Sequence, residues 1–452
     1  MIKQRWDIFC KIVDNFGDIG VCWRLARQLH IEHGLQIRLW IDDLEAAQKI
    51  IPSLNVDEIS QVCDEITILK WPISNKTGET DFSQAADVVI EAFACELPPA
   101  YLVAMAQNKF NGFESKWVNL EYLSAEKWVD DFHGKPSPQN FLNSNLLNTN
   151  ISLTRYFYFP GFTEATGGLI REDGIAAQLQ AHTNPRHQAE EGARRRGRGA
   201  VNINLEIAPL SNFSGGTTKH LTRLTNNISQ VIANPASGRE AISANRLEAV
   251  TSVRPEPVEG QVALKISLFC YPNAPIKDLF NALRANIHAV SVYIPASSIP
   301  PQIADFFGVE TIDIGDYFTR ENLHVHILPF LSQLDYDALL RDCDLNFVRG
   351  EDSWLRAIWA GKPFIWQPYL QEENTHIKKL NAFLDIYYAD FDAKDMVCKA
   401  HQHWSVGHMS NDVFLAFLQY LPSIAAHTAQ QSKLLAQQTD LATKLVAFCN
   451  KL

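Results

Sequence analysis

The sequence predicts an α/β protein built as two Rossmann-like domains facing a central cleft. Three observations carry this. Short apolar runs alternate with helical patterns from Trp6 to about Phe162, a second such series begins at Ala263, and a stretch with neither periodicity separates them. The chain has 452 residues, which at roughly 100–200 per domain calls for two or three domains.

In the first series, strands are expected at Trp6–Val13, Gln36–Ile41, Ile66–Leu69, Asp87–Ala92 and Lys116–Leu120. Val21–His30 and Leu44–Ile51 repeat apolar positions with a 3.6-residue spacing and supply covering helices. Pro98–Gln107 opens with proline, which a first helical turn tolerates because that N–H has no intrahelical partner. The second series opens with the strand ALKISLFCY, then a helix near Ile276–Ala289 and strands Val290–Ile294 and His324–Leu328. Helix Leu334–Asp342, strand Leu345–Val348, helix Asp352–Ala360 and strand Phe364–Gln367 follow, ahead of C-terminal helices. The last of these, about Thr428–Cys449, is a candidate to pack back on the first domain.

The expected division is therefore 1–171, 172–262 and 263–452. The middle stretch holds GARRRGRG, a Ser/Thr/Asn-rich run and RPEPVEG, with too little apolar surface to offset ordering entropy, so a mostly disordered insertion is expected. Its Arg194–Arg196 run lacks interleaved aromatics and reads as a solvated loop.

Charge and composition exclude several classes. Forty Lys and Arg against fifty-one Asp and Glu give a net charge of −11, without the positive field a phosphate-backbone binder needs, so nucleic acid is not an expected partner. No window approaches the ~18 uninterrupted apolar residues of a membrane span, and Met1–Asp7 reads as a charged lead into a strand, so a cytoplasmic protein without membrane attachment is expected. The eight cysteines are scattered without a CxxC pair and read as buried thiols. Asp342-Cys-Asp344 imitates a metal-binding DxD but opens a buried-looking strand, and no metal or cofactor is expected.

Chemistry concentrates at two strand ends. In VDNFGDIGVCWRLARQL, Asp14 and Asp18 sit where ligands collect in an open parallel sheet, with Gly17 and Gly20 permitting a tight loop. Two carboxylates would repel phosphate, so the loop suits a cationic or hydroxyl-bearing group; the alternative is that one acid caps the helix or fixes the loop. In FVRGEDSWLRAIWAGKPFIWQPY, Arg349, Gly350, Glu351, Asp352 and Ser353 follow a strand and open a helix, the pattern of a diphosphate site, although Asp352 or Ser353 alone reads equally as an N-cap. Glu351 beside phosphate needs another task, such as holding a sugar hydroxyl. Phe330 and Gln333 end a strand of the same domain, where an aromatic stacks on a base and an amide reads its edge. Tyr271 and Tyr369 also end strands facing the cleft.

The segments DNFGDIGVCWRLARQL, VIEAFACELP, WVNLEYLSAE, YFPGFTEATGGLIRE, SLFCY and LNFVRGEDSWLRAIWAGKPFIWQPY together resemble the EarP family, bacterial protein-arginine rhamnosyltransferases that modify translation elongation factor P. The resemblance spans about Trp6–Glu172 and Ala263–Leu452. It implies a GT-B fold with the N-terminal domain on the acceptor side and the C-terminal domain holding dTDP-β-L-rhamnose. It further implies inverting transfer to an arginine of elongation factor P, with no cofactor beyond the donor. By motif, Asp14, Asp18 and Glu351 match the functional acids. Phe330 and Gln333 are implied to contact thymine, and Tyr271, Arg349, Asp352, Ser353 and Tyr369 to surround the diphosphate. A guanidinium with a pKa above ~12 is a poor nucleophile, so a carboxylate, for which Asp18 is the candidate, must orient it and take its proton as the C–N bond forms. The alternatives are a GT-B transferase using another nucleotide sugar and a binder of elongation factor P disabled by the insertion.

Overall fold

Strand β1 (Arg5–Cys10) has the sequence RWDIFC, and its alternating side chains enter opposite layers, as the period of two requires. Trp6, Ile8 and Cys10 join the main core, while Phe9 packs with Trp40 and Tyr101 on the other face. Between them Asp7 is fully buried, and its carboxylate is satisfied by Arg38, the Trp40 indole and the Tyr101 hydroxyl. The computed structural model describes residues 4–14, 16–71, 82, 84–140, 152–175, 263–285 and 288–452. From residue 176 to 262 the expected insertion lies outside the described residues; Glu172–Ile175 lie within them.

β1 pairs in parallel with β2 (Gln36–Ile41) on one side and with β5 (Val88–Ala92) on the other. With β4 (Ile66–Lys70), β6 (Lys116–Leu120), β8 (Ser152–Tyr158) and antiparallel edges β3 (Ser60–Cys63) and β7 (Pro136–Asn140), the order is β3-β4-β2-β1-β5-β6-β8-β7. The sheet thus reverses its direction of growth at β1, which makes the β1 loop a topological switch point. Helices α1 (Gly17–His33), α2 (Leu44–Ile50), α3 (Pro99–Phe110) and α4 (Trp128–Phe132) complete this half.

The second sheet repeats the logic. β9 (Leu264–Leu268) lies between β10 (Val290–Pro295) and β13 (Leu345–Arg349), in the order β11-β12-β10-β9-β13-β14 with β11 (Tyr317–Arg320), β12 (Leu323–Leu328) and β14 (Phe364–Gln367). Its helices are α5 (Ile276–Arg284), α6 (Gln302–Phe307), α7 (Gln333–Asp342), α8 (Asp352–Ala360), α9 (Thr375–Tyr387), α10 (Lys394–Ser405), α11 (Asn411–Gln419) and α12 (Leu421–Leu435). The loops after β9 and β13 form the second switch point, opposite the first.

The expected single terminal helix is two, because Asp440 accepts the Thr443 N–H at 3.0 Å and starts α13 (Leu441–Lys451) afresh. α13 lies on the first half of the molecule: Leu441 N–H donates to Leu169 O, Lys116 Nζ to Cys449 O, and Phe448 packs on Tyr156 and Tyr158.

Helix α1 faces two ways. Ile19, Cys22, Leu25, Ala26 and Leu29 enter the core, where each larger aliphatic side chain contributes ~1.5–3 kcal/mol by leaving water. Gly20, Arg24 and Gln28, spaced by four, form a second stripe. Gly20 and Arg24 face the C-terminal domain, and Gln28 meets Arg171 O and Asp440.

Candidate active site

Asp18 occupies the first turn of α1 and is only 2% exposed. It does not cap the helix. Its Oδ2 instead accepts the backbone N–H groups of Val13 (2.7 Å) and Asp14 (2.9 Å), folding the preceding loop over itself. Its Oδ1 accepts the Tyr122 hydroxyl at 3.1 Å. The loop-fixing role left open by sequence is therefore real.

Asp14 projects across the cleft. The Tyr271 hydroxyl donates to its Oδ2 at 2.9 Å. Burial pushes the Asp14 carboxyl up, opposed by Tyr271 and the Arg349 charge. Gly350, at φ +60°, allows this approach, since a Cβ there would stand 2.9 Å from Asp14 Oδ2 and 3.2 Å from the Tyr271 hydroxyl oxygen.

On the opposite wall, Arg349 ends β13, and its guanidinium lies 4.4 Å from the Phe269 ring centroid and 4.8 Å from that of Tyr271. Its Nη1 donates to Cys270 O at 3.3 Å. The Ser353 hydroxyl does not cap α8: it accepts the Arg349 N–H at 3.0 Å and donates to Arg349 O, closing the turn. Glu351 stands at the N-cap position without a capping bond, so neither Asp352 nor Ser353 is the cap. Beneath the turn, the Trp366 indole donates to Gly350 O at 2.7 Å and stacks on Trp354 with centroids 3.7 Å apart.

Glu351 reaches back to the N-terminal domain, where its Oε2 accepts the Leu123 N–H at 2.8 Å. Burial pushes its carboxyl up to about 7, with Lys379 and the Leu123 N–H opposing and the Asp18 charge adding to the rise. Asp352 is committed elsewhere. Its Oδ1 accepts Arg24 Nε at 2.7 Å, within a cluster in which Arg24 and Arg356 share Asp337 and Glu172. The two arginines hold the Glu172 carboxyl down at about 2.

Phe330 and Gln333 close the cavity roof. Phe330 meets Phe16 edge-on at 5.3 Å, and Gln333 Nε2 donates to Gly20 O at 3.1 Å. Asp14, Phe330, Gln333, Arg349, Glu351, Asp352 and Ser353 thus line one interdomain cavity of about 640 Å³ of atom-free space, its open mouth included. Asp18 lies under its wall, Tyr271 against Asp14, and Tyr369, 45% exposed, stands beside Tyr271 with ring centroids 5.8 Å apart. Sequence reasoning missed Phe16, Arg24, Phe269, Tyr122 and Lys379. For Arg24 the four-residue polar stripe of α1 was an available signal. The DxD imitation is a structural corner, with Asp342 paired to Lys265 Nζ and Asp344 accepting the Lys265 N–H. Among the described residues, three metal-type ligand atoms gather at Glu32, His33 and Asp440, at the seam of α1 and α13 and outside the cavity lining.

The family model "Elongation-Factor P (EF-P) rhamnosyltransferase EarP" matches the chain over residues 6–233 and 228–450. The chain belongs to this family. Protein-arginine rhamnosyltransferases of the EarP family from Pseudomonas putida and Pseudomonas aeruginosa are 35% and 34% identical, with 99% and 98% of both chains covered. A relative of the same description from Neisseria meningitidis is 32% identical over 84% of this chain and 77% of its own. A solved structure concerned with EarP-mediated arginine glycosylation of translation elongation factor EF-P matches with a TM-score of 0.56 at 26% identity, covering 99% of each chain. The two-domain α/β architecture expected from sequence is that of this glycosyltransferase family, and the fold is GT-B. No helix among the described residues is long and apolar enough to cross a membrane.

Proposed function

We propose that the protein transfers L-rhamnose from dTDP-β-L-rhamnose to an arginine side chain of elongation factor P, with inversion at the anomeric carbon. The observation that carries this is the opposition of two chemistries across one cleft: buried acids at the first switch point, and a guanidinium with a helix amino end at the second. The relatives' activity supports arginine as acceptor, and the acids suit a cationic guanidinium.

In the reaction, an arginine nitrogen attacks the anomeric carbon as the bond from that carbon to the diphosphate oxygen breaks. Asp18 Oδ1 takes the proton released as the new C–N bond forms, because a guanidinium cannot be deprotonated in advance near neutral pH. Asp14 and Glu351 orient the acceptor between the domains. Arg349 and the amino end of α8 stabilise the departing diphosphate. We assign this charge to protein groups and not to a divalent cation, so initial transfer rates are expected to be the same with and without EDTA. Asp352 contributes through its backbone, its carboxylate being held by Arg24. Gln333, with Nε2 on Gly20 O, keeps its amide oxygen for thymine N3–H, and Phe330 with Phe16 stacks the base. The eight free thiols support action in the cytoplasm.

The test is intact mass of purified elongation factor P after incubation with this protein and dTDP-β-L-rhamnose, beside an Asp18→Asn control. A gain of one deoxyhexose, absent from the control and mapped to arginine, is the expected result. No gain while dTDP still binds would overturn it.

A further inference from the structure

Tyr122 and Leu123, just beyond β6, touch two of the three acids of the cleft: the Tyr122 hydroxyl donates to Asp18 Oδ1 at 3.1 Å, and the Leu123 N–H donates to Glu351 Oε2 at 2.8 Å. Since two backbone N–H groups hold Asp18 Oδ2, Oδ1 is the oxygen with a lone pair to spare, and Tyr122 sets the direction of that lone pair.

The Tyr122 ring is engaged twice more. Phe93 stacks on it with centroids 4.3 Å apart and planes 12° from parallel. Lys379 Nζ, on α9 of the opposite domain, lies 5.5 Å from its centroid. The loop that presents Phe93 is costly: Phe93, Ala94 and Glu96 have φ of 57°, 52° and 61°, the left-handed region that side-chain-bearing residues avoid. It persists because its backbone is over-determined, with Phe93 N–H on Leu120 O, Ala94 N–H on Asn119 Oδ1 and Glu96 N–H on Glu91 Oε1.

We propose that Tyr122 is a positioning residue for the Asp18 carboxylate, and that Lys379, reaching its ring from the other domain, makes this positioning depend on closure of the cleft. The inference rests on the reading of Asp18 as the base. Burial, with the charges of Asp18 and Glu351, pushes the phenol up, so it serves as a donor and not as a base itself. Burial pushes the Lys379 ammonium down, opposed by the charges of Glu351 and Glu126 that it also faces.

The experiment measures initial transfer rates by intact mass, with the full chain, dTDP-β-L-rhamnose and elongation factor P, for wild type, Tyr122→Phe, Lys379→Met, Lys379→Arg and the Phe/Met double variant. Calorimetric dTDP binding is recorded for each. Tyr122→Phe keeps the ring and removes the hydroxyl; it is expected to lower kcat roughly 10–100-fold, the equivalent of one hydrogen bond to a charged group, with donor KM and dTDP binding within about twofold of wild type. Lys379→Met is expected to lower kcat about fivefold and Lys379→Arg to restore most of it, by the size of a cation–ring contact that is only partly desolvated. In the Tyr122→Phe background, Lys379→Met is expected to add less than about twofold, because its route to Asp18 is gone. A Tyr122→Phe kcat within twofold of wild type, or strictly multiplicative losses in the double variant, would overturn the proposal. Absence of transfer by the wild type would instead overturn the reading of the site, and the positioning role with it.

Discussion

Asp18 and Glu351 are acids at corresponding places, each just past the carboxyl end of a central strand at its sheet's switch point, yet the two domains hold them in opposite ways. Asp18 takes three donors, all from its own domain, and closure adds only Lys379, against the ring of one of them. Glu351 accepts the Leu123 N–H, and that donor belongs to the other domain. Its carboxyl is pushed up to about 7 by burial in the shut cleft. One acid is prepared by its loop, while the environment of the other is created by closure. The comparison separates what a single domain builds from what only the pair can build.

The hardest break is isosteric. Asp18→Asn places an amide where two backbone N–H groups and a phenol donate, and it removes the base; transfer is expected to fall about 10³-fold with a stability loss of about 1–3 kcal/mol. Glu351→Gln, by contrast, keeps a carbonyl for Leu123 N–H and no longer has a charge to bury, so in urea unfolding at pH 8 it is at least as stable as wild type. Equal destabilisation by both would erase the distinction.

Next in size is closure itself. Arg24 is 5% exposed and binds Asp352, Asp337 and Glu172, so Arg24→Met leaves buried carboxylates without their partner. It is expected to cost about 3 kcal/mol in urea unfolding. Gly350→Ala sharpens the comparison locally: a methyl at φ +60° and 2.9 Å from Asp14 Oδ2 breaks the Asp14–Tyr271 bond, with about tenfold slower transfer as the outcome.

The smallest effect is a slope. The folded state retains the Glu351 proton above the ordinary 4.5, so the stabilisation is full below that pH and is lost as pH rises through about 7. Melting temperatures of wild type minus Glu351→Gln should therefore decline between about pH 5 and pH 8, and a flat difference would refute the assignment.

Much of this was legible because it is local. Asp14 and Asp18 follow the central strand of an alternating α/β series, and RGEDS follows another, so sheet topology alone delivers both to one cleft. What escaped was mostly distant in sequence. Arg24 and Asp352 are 328 positions apart, and nothing in either neighbourhood announces the pair. That pairing occupies the Asp352 carboxylate, as the turn-closing bond occupies Ser353 and the Asp14 bond the Tyr271 hydroxyl. Edge strands also hid. β7 reads PSPQN, whose prolines remove ladder donors and fit an edge, although the same residues read as a loop. β11, YFTR, is too short and polar to show a period.

The stacked indoles of Trp354 and Trp366 have an optical consequence. Two parallel chromophores 3.7 Å apart share their excitation, and one of them is hydrogen-bonded to the carbonyl of Gly350. The anion-side turn therefore rests on a natural antenna. An occupant that shifts Gly350 would change the polarity at one indole and the coupling between both, so a change in ultraviolet circular dichroism on adding dTDP is the expected label-free sign of filling.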